Sequence, residues 1–188
     1  RWTLDGDLIH VDDSSGWANL YRTQGFVWQE GEDLNAWTSR LRTRALHPGR
    51  HAFSHPHWQL GLHSYDNYDN DYLVCSWAED QIWHIGTVRI DNGMAEEWAT
   101  GWWPIGNVAA ADGRVVFLAD SATHTPAIIE VSRGKTKVLR PSSEAEVPTA
   151  LVSTAEMLTW KTSDGEEAHG FYYAPVNPEF AAPEGELP

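Results

Sequence analysis

The chain has 188 residues, with 13 Lys and Arg against 27 Asp and Glu, a net charge of −14, and a surface that acidic repels phosphate backbones and argues against nucleic acid as a partner. A hydrophobic fraction of 41% is enough for a core, yet no run approaches the ~18 apolar residues of a membrane span, so no membrane partner is expected. Cys75 is the single cysteine, which rules out an internal disulfide, and with no signal peptide visible the expected compartment is a reducing cytoplasm.

Eleven tryptophans, many Gly and Asp, few Lys and little helical periodicity point to an all-β protein. Residues 2–6 close a strand in an Asp-Gly turn, 7–11 form a short strand, 12–16 are a turn cluster and 18–22 a further strand. Turns recur about every ten residues, the rhythm of a sandwich, barrel or propeller. Residues 23–51 break it. There Phe26 to Trp28 reads as a strand, Asp33 is placed to cap a short helix over 33–39, and a strand returns near 41–46.

The rhythm resumes over 58–65 and the polar loop 66–71. Strands follow at 72–77, 82–90, 95–99, 103–111, 114–119, 127–131 and 136–139. Cys75 sits in the first of these, an apolar run, and reads as a buried thiol. The pattern is an internal repeat whose copies open near Trp2, Trp58 and Trp103. The last two openings are 45 positions apart and the first two 56, the surplus fitting the excursion at 23–51. Four short strands in about 40–50 residues make one propeller blade. A sandwich would not repeat the same strand order. The expected architecture is a partial β-propeller of about three four-stranded blades over 1–147.

Residues 148–188 differ. Two β-rich runs flank Ser163-Asp164-Gly165, a strong hairpin signal. Leu158, Trp160 and Thr162 share one parity; Ala168, Gly170, Tyr172 and Ala174 share another. After Pro175 the chain becomes rich in Pro and Glu.

These stretches together resemble the prolyl oligopeptidase family of serine peptidases, in particular its acylaminoacyl-peptidase and dipeptidyl-peptidase-like branch. Trp2-Thr-Leu-Asp-Gly6 is similar to that branch's W-S-P-D-G blade opening, with Thr-Leu for Ser-Pro. Residues 15–22 resemble its G-x-x-N-L-Y blade strand. Residues 160–175 resemble the strand pair that leaves the propeller for the hydrolase domain, and 177–188 the acidic loop after it. The resemblance is poor over 24–44. It implies that 148–188 are a linker and the first β-hairpin of an α/β-hydrolase domain. It also implies a parent enzyme that cleaves peptide or acyl-peptide bonds with a Ser–Asp–His triad, its propeller restricting access. That chemistry needs a G-x-S-x-G elbow and an H-G-G-type oxyanion loop. Neither pattern occurs in the sequence, so no catalytic residue is assigned and the 188-residue chain alone is expected to be inactive. The expected partners are peptide substrates of the parent, the peptidase domain and the remaining blades. Open sheet edges also predict self-association. The alternative is a non-catalytic propeller that serves as a binding or interaction module.

Other clusters favour the structural reading. His47, His51, His55 and His57 could suggest zinc, but Pro56 interrupts the strand and no Cys or Glu completes a tetrahedral set. The 66–71 loop offers Asp66, Asp69 and Asp71 oxygens for calcium, yet lacks the Gly and distal Glu of a calcium loop. His169 beside Glu166 and Glu167 has no partner nucleophile, and Ser163 and Asp164 are turn residues. Trp98, Trp102 and Trp103 are read as core before a sugar-stacking surface. Arg40, Arg42 and Arg44 would share one strand face and could meet a carboxylate, with solvation the plainer reading. No cofactor-binding or metal residue is assigned, and no cofactor is expected.

Overall fold

The computed structural model describes residues 1–56, 58–145, 147–180, 182–183 and 185. The chain falls into two compact units. One comprises Arg1–Asp120 and Pro126–Ser142, the other Ser121–Thr125 and Ser143–Pro188.

The larger unit holds three antiparallel meanders, each with its strands in sequence order. The first is β1 (Leu8–Asp12), β2 (Asn19–Gln24) and β3 (Arg42–Ala45), with Trp2 bridged to Leu8 on the inner side. Counting that bridge, the expected fourth strand is reduced to one residue pair. The second is β4 (Tyr65–Asn67), β5 (Tyr72–Glu79), β6 (Ile82–Arg89) and β7 (Ala95–Glu97). The third is β8 (Trp103–Ala111), β9 (Arg114–Asp120), β10 (Ala127–Ser132) and β11 (Lys135–Pro141). The second copy's first strand starts only at Tyr65, because residues 58–61 form turns instead of a strand.

Tight hairpins set these registers. Asp112-Gly113 (φ 51° and 70°) and Arg133-Gly134 (φ 50° and 71°) join β8 to β9 and β10 to β11. Two successive positive φ values match the right-handed strand twist. The β5–β6 turn uses Asp80 and Gln81 at φ 46° and 68°, with no glycine to relieve it.

The alternation of β5 explains its unbroken apolar sequence. Leu73, Cys75 and Trp77 face the first sheet and pack with Ile9, Leu20, Leu46 and Phe53. Val74 faces the other way, into a cluster with Ile85, Val108, Phe117 and Ile129. Both faces of the middle sheet are therefore core, as in stacked blades. Cys75 is fully buried, and desolvation pushes its thiol far above the ordinary range.

The excursion between β2 and β3 contains α1 (Leu34–Arg40). Asp33 caps it as expected, its Oδ1 accepting from the Ala36 N–H at 2.8 Å. The strand expected at Phe26 to Trp28 does not form. These residues instead fold onto α1: Phe26 lies 4.8 Å from Trp2 and 6.0 Å from Trp37 between ring centroids, and Trp28 lies 6.1 Å from Trp37. The arginine face also fails. Arg40 lies on α1 and pairs with Glu32 through Nε at 2.6 Å, while Arg42 and Arg44 lie on β3.

In the smaller unit β12 (Ala155–Lys161) pairs with β13 (Glu167–Tyr173) around the expected turn. Leu158 opposes Gly170 and Trp160 opposes Ala168, so the two parities read from the sequence meet on one face. The Trp160 ring lies over Gly170, where an added Cβ would stand 3.2 Å from Cη2. Aromatic cover of a strand glycine supports the hairpin.

Candidate functional site

The first strands of the three meanders lie side by side. The Asn67 amide donates to the Trp2 carbonyl at 2.8 Å, joining the first opening to β4. Val108 N–H donates to the His63 carbonyl at 2.8 Å, and His63 N–H to Asn107 Oδ1 at 2.6 Å, joining β8 to the lead-in of β4. Asp66 ties all three together. Its Oδ2 takes the Ala110 N–H at 3.2 Å and the Arg1 guanidinium at 3.0 Å, while Oδ1 takes the Asn67 N–H at 2.8 Å. These residues form a continuous inner wall, polar where Asp66, Asn67 and Asn107 reach it.

Beside this wall is a cavity of about 440 Å³ lined by Arg1, His55, Gln59, His63 and Tyr65 among others. The His55 ring stacks on Trp83 at 4.4 Å, and burial lowers its pKa, opposed in part by a hydrogen bond the ring donates to the Gly106 backbone. The imidazole is therefore neutral near pH 7, suited to hydrogen bonding and not to holding an anion. A second, larger cleft of about 550 Å³ opens between the second and third sheets. Tyr68, Asp69, Tyr72, Glu96 and Trp98 come from the second sheet and its loops, and Arg133 from the β10–β11 turn.

The calcium and zinc alternatives find no site among the described residues. Asp69 Oδ1 accepts from the Asp71 and Tyr72 N–H groups at 2.8 Å each, so the 66–71 loop is an Asx turn folded on itself. His47 and His51 stack at 4.8 Å, His47 Nδ1 lies 3.0 Å from the Gly93 carbonyl, and His51 Nδ1 is 3.3 Å from Glu79 without hydrogen-bond alignment. His57, the fourth member of that cluster, lies outside the described residues. Among the described residues no group of three His, Cys, Asp or Glu is arranged around one metal position.

Catalytic convergence is also lacking in the hairpin. His169 Nδ1 lies 2.9 Å from the hydroxyl of Thr159, its cross-strand partner, and Glu167 pairs with Lys161 at 3.1 Å. The Thr162 hydroxyl donates to Asp164 at 2.5 Å and lowers that carboxyl's pKa, a turn contact. Ser121 lies 3.3 Å from His124 Nδ1, but its oxygen also accepts the His124 N–H at 2.9 Å, the geometry of a short turn. Trp98 and Trp102 pack against the core between the second and third sheets, as expected, while Trp103 is 43% exposed. The cleft between the second and third sheets was hidden from sequence reasoning. Trp98 was visible as one of an aromatic cluster, but nothing in the spacing brings Arg133 to it across 35 residues.

No helix among the described residues is long and apolar enough to cross a membrane. No protein-family model matches the chain, and no curated protein matches it significantly. Solved structures do. The chain superposes over 100% of its length on a puromycin hydrolase at TM-score 0.82 and 22% identity, covering 27% of that protein. It superposes equally completely on a Mycobacterium tuberculosis puromycin-hydrolyzing peptidase at TM-score 0.81 and 24% identity, again covering 27% of it. The chain thus spans about a quarter of the length of these proteins, and over that span it shares their fold, here a partial β-propeller of antiparallel blades.

Proposed function

We propose that this chain is the substrate-gating propeller portion of a serine peptidase that hydrolyses peptide or acyl-peptide bonds. The reading rests on one observation. The full length of the chain, three meanders and a terminal hairpin, superposes on a puromycin hydrolase and on a puromycin-hydrolyzing peptidase. In this reading 1–147 belong to the propeller and 148–188 lead into the peptidase domain. The protein works in the cytoplasm. The blade motifs at 2–6 and 15–22 favour the acylaminoacyl- and dipeptidyl-peptidase-like branch.

Gating follows from the inner wall. Three first strands stitched through Asp66 make a stiff surface, so a peptide passing along it is selected by size and not by induced fit. The nucleophile, its histidine and the oxyanion donors belong to the peptidase domain, because the sequence has neither G-x-S-x-G nor H-G-G. The partners are peptide substrates, that domain and the other blades.

The test is the reading frame after residue 188. It is expected to encode an H-G-G loop and then G-x-S-x-G, and its product to cleave an aminoacyl-nitroanilide and react with a fluorophosphonate probe. A frame without either motif sinks the proposal. The 188-residue chain alone is expected to stay unlabelled and inactive.

A second reading, a non-catalytic interaction module that associates through open sheets, draws on the third sheet. Leu118 and Ile128 are cross-strand partners on the face opposite buried Phe117 and Ile129, and are 42% and 40% exposed. Light scattering decides it: concentration-dependent oligomers support the module, and a stable monomer at high concentration removes it.

A further inference from the structure

The cleft between the second and third sheets carries opposite charges on opposite walls. On one wall Asp69 and Glu96 stand with Tyr68, Tyr72 and Trp98; on the other is Arg133. We infer that this cleft binds a small zwitterion, an organic ammonium that also bears a carboxylate. The ammonium would lie against the second sheet and the carboxylate at Arg133. The inference does not depend on the catalytic reading.

The aromatic wall is built before any ligand arrives. Tyr68 and Trp98 meet at 68° with centroids 5.9 Å apart, forming a corner. Trp98 is fixed by its N–H to the Ile85 carbonyl and by the Thr100 N–H to its own carbonyl, both at 2.8 Å. Tyr68 N–H donates to the Tyr72 carbonyl at 2.9 Å. Ring faces attract cations, more so where carboxylates are near. Tyr72 already does this once, with the Arg89 guanidinium 6.0 Å from its centroid.

The charged groups are available. Asp69 spends Oδ1 on two backbone N–H groups, which fixes the carboxylate and leaves Oδ2 for a ligand. Among the described residues neither Glu96 nor Arg133 is in an ion pair, although the chain carries an excess of acid. Arg133 sits at φ 50° in a two-residue turn with Gly134, so its Cα position is set by the β10–β11 hairpin. An arginine is the side chain best shaped for a carboxylate. A volume of about 550 Å³ accommodates a small organic ion with its water.

The experiment titrates the chain, labelled with 5-fluorotryptophan and with the Trp98 resonance assigned through Trp98→Phe, against three probes: glycine betaine, tetramethylammonium and acetate. Betaine is expected to saturate the Trp98 shift with an affinity at least tenfold above tetramethylammonium, and acetate to give no saturable shift. Arg133→Ala should bring betaine down to the tetramethylammonium level and leave tetramethylammonium unchanged. Glu96→Gln, a mild surface change, should weaken both cations severalfold, with far-ultraviolet dichroism confirming an intact fold. Equal affinity for betaine and tetramethylammonium, no effect of Arg133→Ala, or no saturation by any probe overturns the inference.

Discussion

Arg22 and Arg44 oppose each other across β2 and β3, and both guanidinium groups donate to one acceptor, the Ile90 carbonyl, at 3.1 and 2.8 Å. Like charges placed directly opposite normally weaken a sheet. Here the buried Asp7 carboxylate takes the Arg22 Nε at 2.6 Å, and Arg44 reaches on to the Asp91 carbonyl at 2.7 Å. Two blades are thereby joined by arginines of one clasping the β6–β7 turn of the next.

Removing that clasp should cost stability unevenly. Arg22→Ala leaves Asp7 buried without its cation, a loss of about 3–5 kcal/mol for a broken buried pair. Arg44→Ala removes hydrogen bonds at a wetter site and should cost about 1–2 kcal/mol. Urea denaturation of both variants and the double variant checks this; a near-neutral Arg22→Ala would show that the clasp is ornamental.

Gln81 occupies φ 68° with a side chain that gains nothing from that conformation. Gln81→Gly should raise stability by about 1 kcal/mol, since glycine removes the left-handed strain of an L residue. The readout is a higher denaturation midpoint at unchanged slope.

Two glycines at positive φ should respond very differently to alanine. At Gly113 an added Cβ meets nothing within 4 Å, so only the backbone strain of about 1–2 kcal/mol is felt. At Gly93 the same atom would stand 1.5 Å from the Leu46 carbonyl oxygen. Gly93→Ala must push two blades apart, and the expected result is loss of cooperative unfolding or of soluble protein.

His55 ties stability to pH. Burial lowers its folded pKa below the ordinary 6.5, so the unfolded chain binds the proton more readily. Stability from the neutral ring is present above 6.5 and is lost as pH falls from there through the folded value. His55→Gln should flatten the stability curve in that window, and an unchanged curve would assign the pH dependence elsewhere.

The blades were legible because their signals are local. Asp112-Gly113 and the alternation in β8 through β11 mark their own hairpins, and β12 and β13 pair around Asp164-Gly165 as their parities require. Asp33 was equally plain, since a cap needs only the residues after it. What failed was long-range. Alternating Arg40, Arg42 and Arg44 looked like one strand face, but the helix ends between the first and the second, and Arg44 is committed to a carbonyl 46 residues away. Phe26 to Trp28 has strand composition, yet its rings are claimed by Trp2 and Trp37. The cleft between the second and third sheets joins side chains from two repeats, and no repeat period predicts what two copies will jointly enclose.

The doubly buried β5 makes the middle blade a dependant of both neighbours. Each flanking sheet has its own core face, but only their simultaneous presence keeps water from Leu73 on one side and Val74 on the other. In a linear array with nearest-neighbour coupling, such a link has the highest opening free energy and fraying proceeds inward from the ends. Amide exchange should accordingly be slowest along β5, and a cut in either outer sheet should be felt there before it is felt at the opposite end.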